Sequence, residues 1–209
     1  MESTPRMVNG WRSFAQAHQD LFVLAMLDGK RAGTYLELGS GHPFAESNTA
    51  LLELDYEWTG LSWELDSALH AEFSAGRANR CLNEDALSFD FASFLPTFFL
   101  EPVIDYLSVD IDENLPLLEV LPFDKYRFAV ITFEHDHYRL GPHAMLASRE
   151  FFSNLGYRRV VSNVHTQGRD FEDWWVDADL VAEENISRFA ASGKEALDLF
   201  GRDTLTPRA

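Results

Sequence analysis

The side chains that could do chemistry fall in four short stretches. In the first, "ELGSG", Glu37 precedes Gly39, Ser40 and Gly41, and the two glycines allow a tight turn with backbone close to a ligand. In the second, "SWELD", Glu64 stands 23 residues beyond Gly41, the distance at which a carboxylate ending a second strand reaches the two hydroxyls of a ribose. Asp66 is also available, but Glu64 directly ends the apolar run. The third is Asp85 in "NEDA", and the fourth pairs Asp110 and Asp112 in "VDID" with Glu134, His135, Asp136 and His137 in "FEHDHY". Carboxylates only accept hydrogen bonds, which suits hydroxyl pairs and exocyclic amines. A pocket they line favours a cation and repels a pyrophosphate. The pattern G-x-G-x-x-G fails because Phe44 stands at its third glycine position, which argues against NAD.

The fourth stretch admits two readings. Asp110, Asp112 and Glu134 offer the hard oxygen donors of a magnesium site, with Asp110 the first choice of ligand and His135 the preferred general base. Alternatively, Asp110 and Glu134 only satisfy helix N-termini and loop amides. Farther on, His165 and the segment from Gly168 to Asp177 bring two adjacent tryptophans, Trp174 and Trp175, which either cover a sugar ring by stacking or divide between core and surface on an edge strand. His18 and the other histidines, apart from His42 in the glycine loop, carry a structural reading.

The elements that must position these residues follow from the hydrophobic pattern. Strands are predicted at 34–38, 58–64, 103–110 and 127–134, with a shorter one in "RCLNEDA". Helices are predicted from about Trp11 to Asp28 and at 49–54, 67–75, 114–121 and 142–155. Strand and helix in alternation means α/β: a single Rossmann-like, doubly wound, mostly parallel sheet with helices on both faces. Segments 157–164 and 171–177 should pair as an antiparallel C-terminal edge hairpin. One domain over 1–209 is expected, with an N-terminal helix in 1–30, a core over 33–178, and a C-terminal helix and tail in 179–209. Ligands of such sheets sit beyond the carboxyl ends of the strands, where the acids above fall.

Composition narrows the partners. The 209 residues include 34 acidic and 17 basic side chains, a net charge of −17, and residues 81–136 hold 12 acids against 2 bases. Nucleic acid and anionic membranes both need a basic footprint, so neither is an expected partner. Apolar residues at 46% suffice for a folded core. A lone cysteine, Cys81, suits a reducing compartment, and with no leader pattern at the start and no spanning apolar run a cytoplasmic location is expected.

Taken in order, "YLELGSG", "GLSWELD", "NEDA" and "IDYLSVDID" resemble the motifs of class I S-adenosylmethionine-dependent methyltransferases. "ITFEHDHY", "ASREFFSNLGYRRVVSNV" and "FEDWWVD" resemble the FkbM-type branch, and the resemblance runs from about "AHQDLFVLAML" to "WWVDADLV". It implies that Glu37, Gly39, Ser40 and Gly41 border the methionine part of the cofactor. It further implies that Glu64 binds the ribose and Asp85 the adenine amino group, with Asn48 also in the cofactor site. It makes the fourth and fifth strands neighbours, which would gather Asp110, Asp112, Glu134 and His135. The implied activity is O-methylation of a hydroxyl on a sugar, glycan or small natural product, assisted by Mg2+. A small-molecule or glycan substrate and a homodimer are the expected partners. The alternatives are a metal-dependent hydrolase built on the Asp110, Asp112, Glu134 and His135 cluster, or a non-catalytic binding domain.

Overall fold

The computed structural model describes residues 5–201. A hairpin comes first, β1 (Arg6–Val8) against β2 (Trp11–Ser13), turned at Asn9 and Gly10 with φ of 48° and 94°. Two positive φ values in succession are what a tight hairpin turn demands and what Asn-Gly supplies. The helix expected from Trp11 is therefore confined to α1 (Gln19–Met26). Asp20 ties hairpin to helix: its buried carboxylate accepts from Ser13 Oγ at 2.7 Å and from the Phe14 amide at 2.7 Å.

The chain then alternates β3 (Thr34–Leu38), α2 (Ala50–Tyr56), β4 (Thr59–Trp63), α3 (Ser67–Gly76), β5 (Arg80–Leu82), α4 (Phe91–Phe94), β6 (Val103–Val109), α5 (Leu117–Val120) and β7 (Arg127–Glu134). After α6 (His137–Leu140) and α7 (His143–Asn154) come β8 (Arg158–Thr166), β9 (Arg169–Val176), α8 (Glu183–Phe189) and β10 (Ala191–Ser192). Eight strands form one sheet in the order β10-β8-β9-β7-β6-β3-β4-β5. From β7 through β6, β3 and β4 to β5 every pairing is parallel, whereas β9 runs antiparallel to both β7 and β8. The expected mostly parallel, Rossmann-like sheet with an antiparallel hairpin is present. The short β10, parallel to β8, lies outside that hairpin.

Central strands are buried almost throughout, the pattern of a sheet covered on both faces. Because β9 lies inside the sheet, its alternating side chains enter two different cores. Trp174 packs 4.5 Å from Phe22 on one face, and Trp175 packs 5.4 Å from Phe152 on the other. At 0% and 1% exposure neither tryptophan can cover a ligand, which corrects the stacking expectation. α5 is shorter than the predicted 114–121 because its first turn starts only at Pro116. The C-terminal helix lies at α8, and the tail from 202 onward falls outside the described residues. No described helix is long and apolar enough to cross a membrane.

The chain winds outward from β3 to β5, then returns to β6 beside β3. This reversal leaves a crevice beyond the carboxyl ends of β3 and β6, the place where such sheets take ligands.

Candidate functional site

A cleft of about 630 Å³ opens there, and Glu37, Gly39, Ser40, Gly41, Asn48, Glu64 and Asp85 all line it. Its floor is the glycine turn. The amides of Gly39 and Ser40 donate to the Trp63 carbonyl at 3.0 and 3.1 Å, and Asp110 N donates to Leu38 O at 2.9 Å. Gly39 has φ of +85°, and a Cβ there would stand 1.9 Å from the Asp110 carbonyl oxygen. Gly41 has φ of +57° with nothing within 4 Å of a Cβ, so its missing side chain opens onto the cleft.

Glu64 directly follows β4 and is held at both oxygens, Oε2 accepting from Gly41 N and Oε1 from Asp66 N, both at 2.8 Å. Each carboxylate oxygen keeps acceptor capacity for a ligand. Asp66 is used differently, its Oδ1 capping α3 through Ala68 N at 2.7 Å and Leu69 N at 3.1 Å. Asp85 caps the turn that follows through Leu87 N at 2.9 Å and stays exposed.

Glu37 is buried, accepting from Ser62 Oγ at 2.6 Å and Thr49 Oγ1 at 2.9 Å. Burial pushes its carboxyl up to about 7, against the pull of Arg77 and the two hydroxyls. Asn48 donates to Ser108 Oγ at 3.0 Å while its buried Oδ1 has no partner, an acceptor left for a donor from the cleft. Sequence reasoning missed Arg77. This buried guanidinium donates to Glu53, the Pro43 carbonyl and Thr49, and so braces the loop carrying Asn48 from behind. Only its burial identifies it. Gln16, His42, Glu46 and Glu84 also line the cleft.

Seven carboxyl side chains face this space, Glu37, Glu46, Glu64, Glu84, Asp85, Asp110 and Asp112, and the lining includes no Lys or Arg. A sulfonium carrying an ammonium fits such a field, whereas a pyrophosphate does not. The unpartnered Asn48 Oδ1 and the opening at Gly41 are further features a nucleoside-bearing cation would fill.

A second cleft of about 380 Å³ adjoins the first, and Leu87, Ile111 and Asp112 line both. Asp110 lies on the first side of this wall and Glu134 on the second, and their side chains hydrogen-bond to one another. Burial, then the neighbouring Asp110, pushes Glu134 far above the carboxylate range, and burial raises Asp110 too. The pair therefore keeps a proton at neutral pH.

This arrangement takes the predicted magnesium cage apart. Asp112 is turned to Arg139, which also holds Asp136, while Glu134 shares its proton with Asp110. Among the described residues no group of three or more His, Cys, Asp or Glu side chains is placed to hold a metal ion, so the donor set does not fit one. The preferred base is likewise committed. His135 is buried, its Nδ1 accepts from His137 N at 3.2 Å, and its Nε2 lies 3.5 Å from Asp173 Oδ1. With Nδ1 accepting, the ring proton belongs on Nε2, and no lone pair remains for a substrate. Against the burial that would raise it, hydrogen bonds from His135 and Arg149 hold Asp173 down to about 2.

No protein-family model matches the sequence. No curated protein matches it. Solved structures do. A "putative O-methyltransferase from Klebsiella pneumoniae" superposes with a TM-score of 0.52 at 18% identity, covering 78% of this chain and 80% of that one. A "putative rRNA-methylase from Clostridium thermocellum" gives 0.53 at 10% identity, over 78% and 95%. M. capricolum TrmK, in complex with S-adenosyl-homocysteine, gives 0.51 at 10% identity, over 78% and 67%. The chain thus has the Rossmann-like fold of the S-adenosylmethionine-dependent methyltransferases.

Proposed function

We propose that the protein is an S-adenosylmethionine-dependent O-methyltransferase of FkbM type that acts on a hydroxyl of a sugar, glycan or small natural product. The observation that carries this reading is the cleft beyond β3 and β6, with its glycine turn, its amide-held Glu64 and its seven carboxyl groups without a Lys or Arg. When bound, S-adenosylmethionine supplies a methyl group on a positively charged sulfur. Glu64 accepts from the ribose hydroxyls and Asp85 from the adenine amino group, while Asn48 Oδ1 and Glu37 face the ammonium. Asp110 takes the proton of the acceptor hydroxyl. A carboxylate whose affinity for protons burial has raised is a stronger base, and Glu134 donates the hydrogen bond that holds it in place.

An RNA acceptor is the competing reading, given the rRNA-methylase among similar structures. The net charge of −17 counts against it, because a polyanion gains its affinity from basic contacts. A hydrolase reading needs the metal cradle that Arg139 and the Asp110–Glu134 pair dismantle. Isothermal titration with S-adenosylmethionine and S-adenosylhomocysteine is the test. Saturable binding of both supports the reading, and no heat from either at high micromolar concentration overturns it.

A further inference from the structure

A third cleft, of about 400 Å³, adjoins the first, and Gln16 and Glu46 line both. Its walls come from β1, the segment leading into α1, the β8–β9 turn and the stretch after β10. His18 lines it too, at 6% exposure. A hydrogen-bond chain behind this ring decides which of its nitrogens carries the proton. Asp20 accepts on both oxygens, Oδ1 from Ser13 Oγ at 2.7 Å and Leu21 N at 2.8 Å, Oδ2 from Phe14 N at 2.7 Å and Ala15 N at 3.3 Å. Burial raises its carboxyl only to about 6, so it is ionised at neutral pH and takes the one proton that Ser13 has to give. Ser13 Oγ can then only accept from His18 Nδ1, which lies 2.9 Å away.

The imidazole is therefore the Nδ1–H tautomer, with its lone pair on Nε2. Nε2 has no hydrogen-bond partner among the described residues. Burial, then the charge of Arg6, lowers the ring from 6.5 to about 4, so it stays neutral and Nε2 stays an acceptor. The rest of the lining says what kind of donor it meets. Its charges are already paired, Arg6 with Glu46 at 3.4 Å and Glu195 with the amides of Gln167 and Gly168 at 3.2 and 2.8 Å. By contrast, the side chains of Gln16, Thr166 and Gln167 make no hydrogen bond among the described residues. An amide or a hydroxyl both donates and accepts, so these three with His18 Nε2 complement a neutral ligand that carries several hydroxyls. Val8 and Leu197 add apolar surface for its C–H groups.

We propose that the third cleft binds a saccharide unit, one hydroxyl of which donates to His18 Nε2, with Ser13 and Asp20 as positioning residues that fix the tautomer. This deepens the proposed function and rests on it only in making the saccharide part of the methyl acceptor; the subsite itself does not depend on it. Burial raises Asp110, and the charge of Glu46 adds to that rise. The cleft that Glu46 borders is thus within electrostatic reach of the group that takes the acceptor's proton.

Imidazole nitrogen NMR reads tautomer and occupancy together. In the free protein, Nε2 of His18 should resonate as an unprotonated nitrogen and Nδ1 as a protonated one. Methyl glycosides of glucose, galactose, mannose and rhamnose are then titrated to roughly 100 mM, enough to detect millimolar affinity. At least one should shift the Nε2 resonance saturably, toward the hydrogen-bonded position. His18→Phe keeps a ring against Phe200 and removes the acceptor, so it should weaken that glycoside about tenfold in saturation-transfer titrations and leave S-adenosylhomocysteine affinity unchanged. Gln167→Asn withdraws an exposed amide at a φ of 55° that Asn tolerates, and should weaken it several-fold without loss of stability. A protonated Nε2 in the free protein, no shift with any of the glycosides, or glycoside binding that survives His18→Phe overturns the proposal. Glucosamine or glucuronate shifting Nε2 where the neutral glycosides do not assigns the cleft to a charged ligand and overturns it as well. If S-adenosylhomocysteine binds and no glycoside moves Nε2, the subsite falls and the methyltransferase reading stands. If a glycoside moves Nε2 and S-adenosylhomocysteine does not bind, the methyltransferase reading falls and the subsite stands.

Discussion

The carbonyl oxygen of Asp110 occupies the space that a side chain on Gly39 would need, 1.9 Å from the position of its Cβ. Two strand ends, those of β3 and β6, meet at that contact, and both residues line the first cleft. Gly39→Ala must move backbone rather than a flexible side chain, and at φ of +85° it is strained as well. The expected cost is roughly 2–4 kcal/mol in urea unfolding. Gly41→Ala, at φ of +57° with open space around it, should cost only about 1 kcal/mol while weakening cofactor binding. Equal stability of the two variants would contradict this reading of the turn.

Glu64 and Asp66 should separate cleanly. Glu64→Ala removes the acceptor that faces the cleft, and S-adenosylhomocysteine affinity should fall tenfold or more, about 1.4 kcal/mol. Asp66→Ala should leave that affinity intact and remove about 1 kcal/mol of stability through loss of the α3 cap. Calorimetry and denaturation on both variants decide, and a binding loss in Asp66→Ala would transfer the ribose role to it.

Stability should fall as pH rises through the range in which Glu37 ionises. Its carboxyl is raised by burial from 4.5 in the unfolded chain to about 7 in the fold, so the folded state holds more protons in between. The contribution is complete below pH 4.5, is lost as pH rises through 7, and amounts to about 3 kcal/mol. Asp20, raised by burial from 3.8 to about 6, acts in the same direction over a lower window. Glu37→Gln should flatten the slope between pH 5 and 7, as read from urea midpoints. An unchanged slope would assign the effect elsewhere.

His135 should prove a structural residue. Its replacement by Ala removes the ring N–H that faces the buried Asp173 carboxylate, leaves that carboxylate to Arg149, and should cost roughly 2 kcal/mol. Cofactor affinity should not change. A variant of normal stability with impaired cofactor binding would restore a place for His135 in the site.

Strands were legible where apolar and β-branched residues run unbroken: β3 and β7 occupy the predicted 34–38 and 127–134. The N-terminal hairpin was not, because Phe14, Leu21 and Leu24 also satisfy a helical period, and the competing signal is only the pair Asn9-Gly10. Alternation along "FEDWWV" does say that Trp174 and Trp175 face opposite ways. That both faces are covered depends on β9 being flanked by β7 and β8, a fact of sheet order that spacing along the chain does not carry. Within the site, the strand-end rule gathered the acids into two adjoining clefts. It could not distinguish an acid that caps a helix, Asp66, from one held open, Glu64. Nor could it see that Glu134 keeps a proton, because that depends on burial and on Asp110 across the strands.

A crystal structure of the protein soaked with S-adenosylhomocysteine would show the cofactor site itself. The nucleoside should lie in the cleft beyond β3 and β6, with its ribose hydroxyls on the Glu64 carboxylate. Its sulfur should face the wall of Leu87 and Ile111 that borders the second cleft. Clear density for the ligand elsewhere, or a ribose held by residues other than Glu64, would contradict this placement.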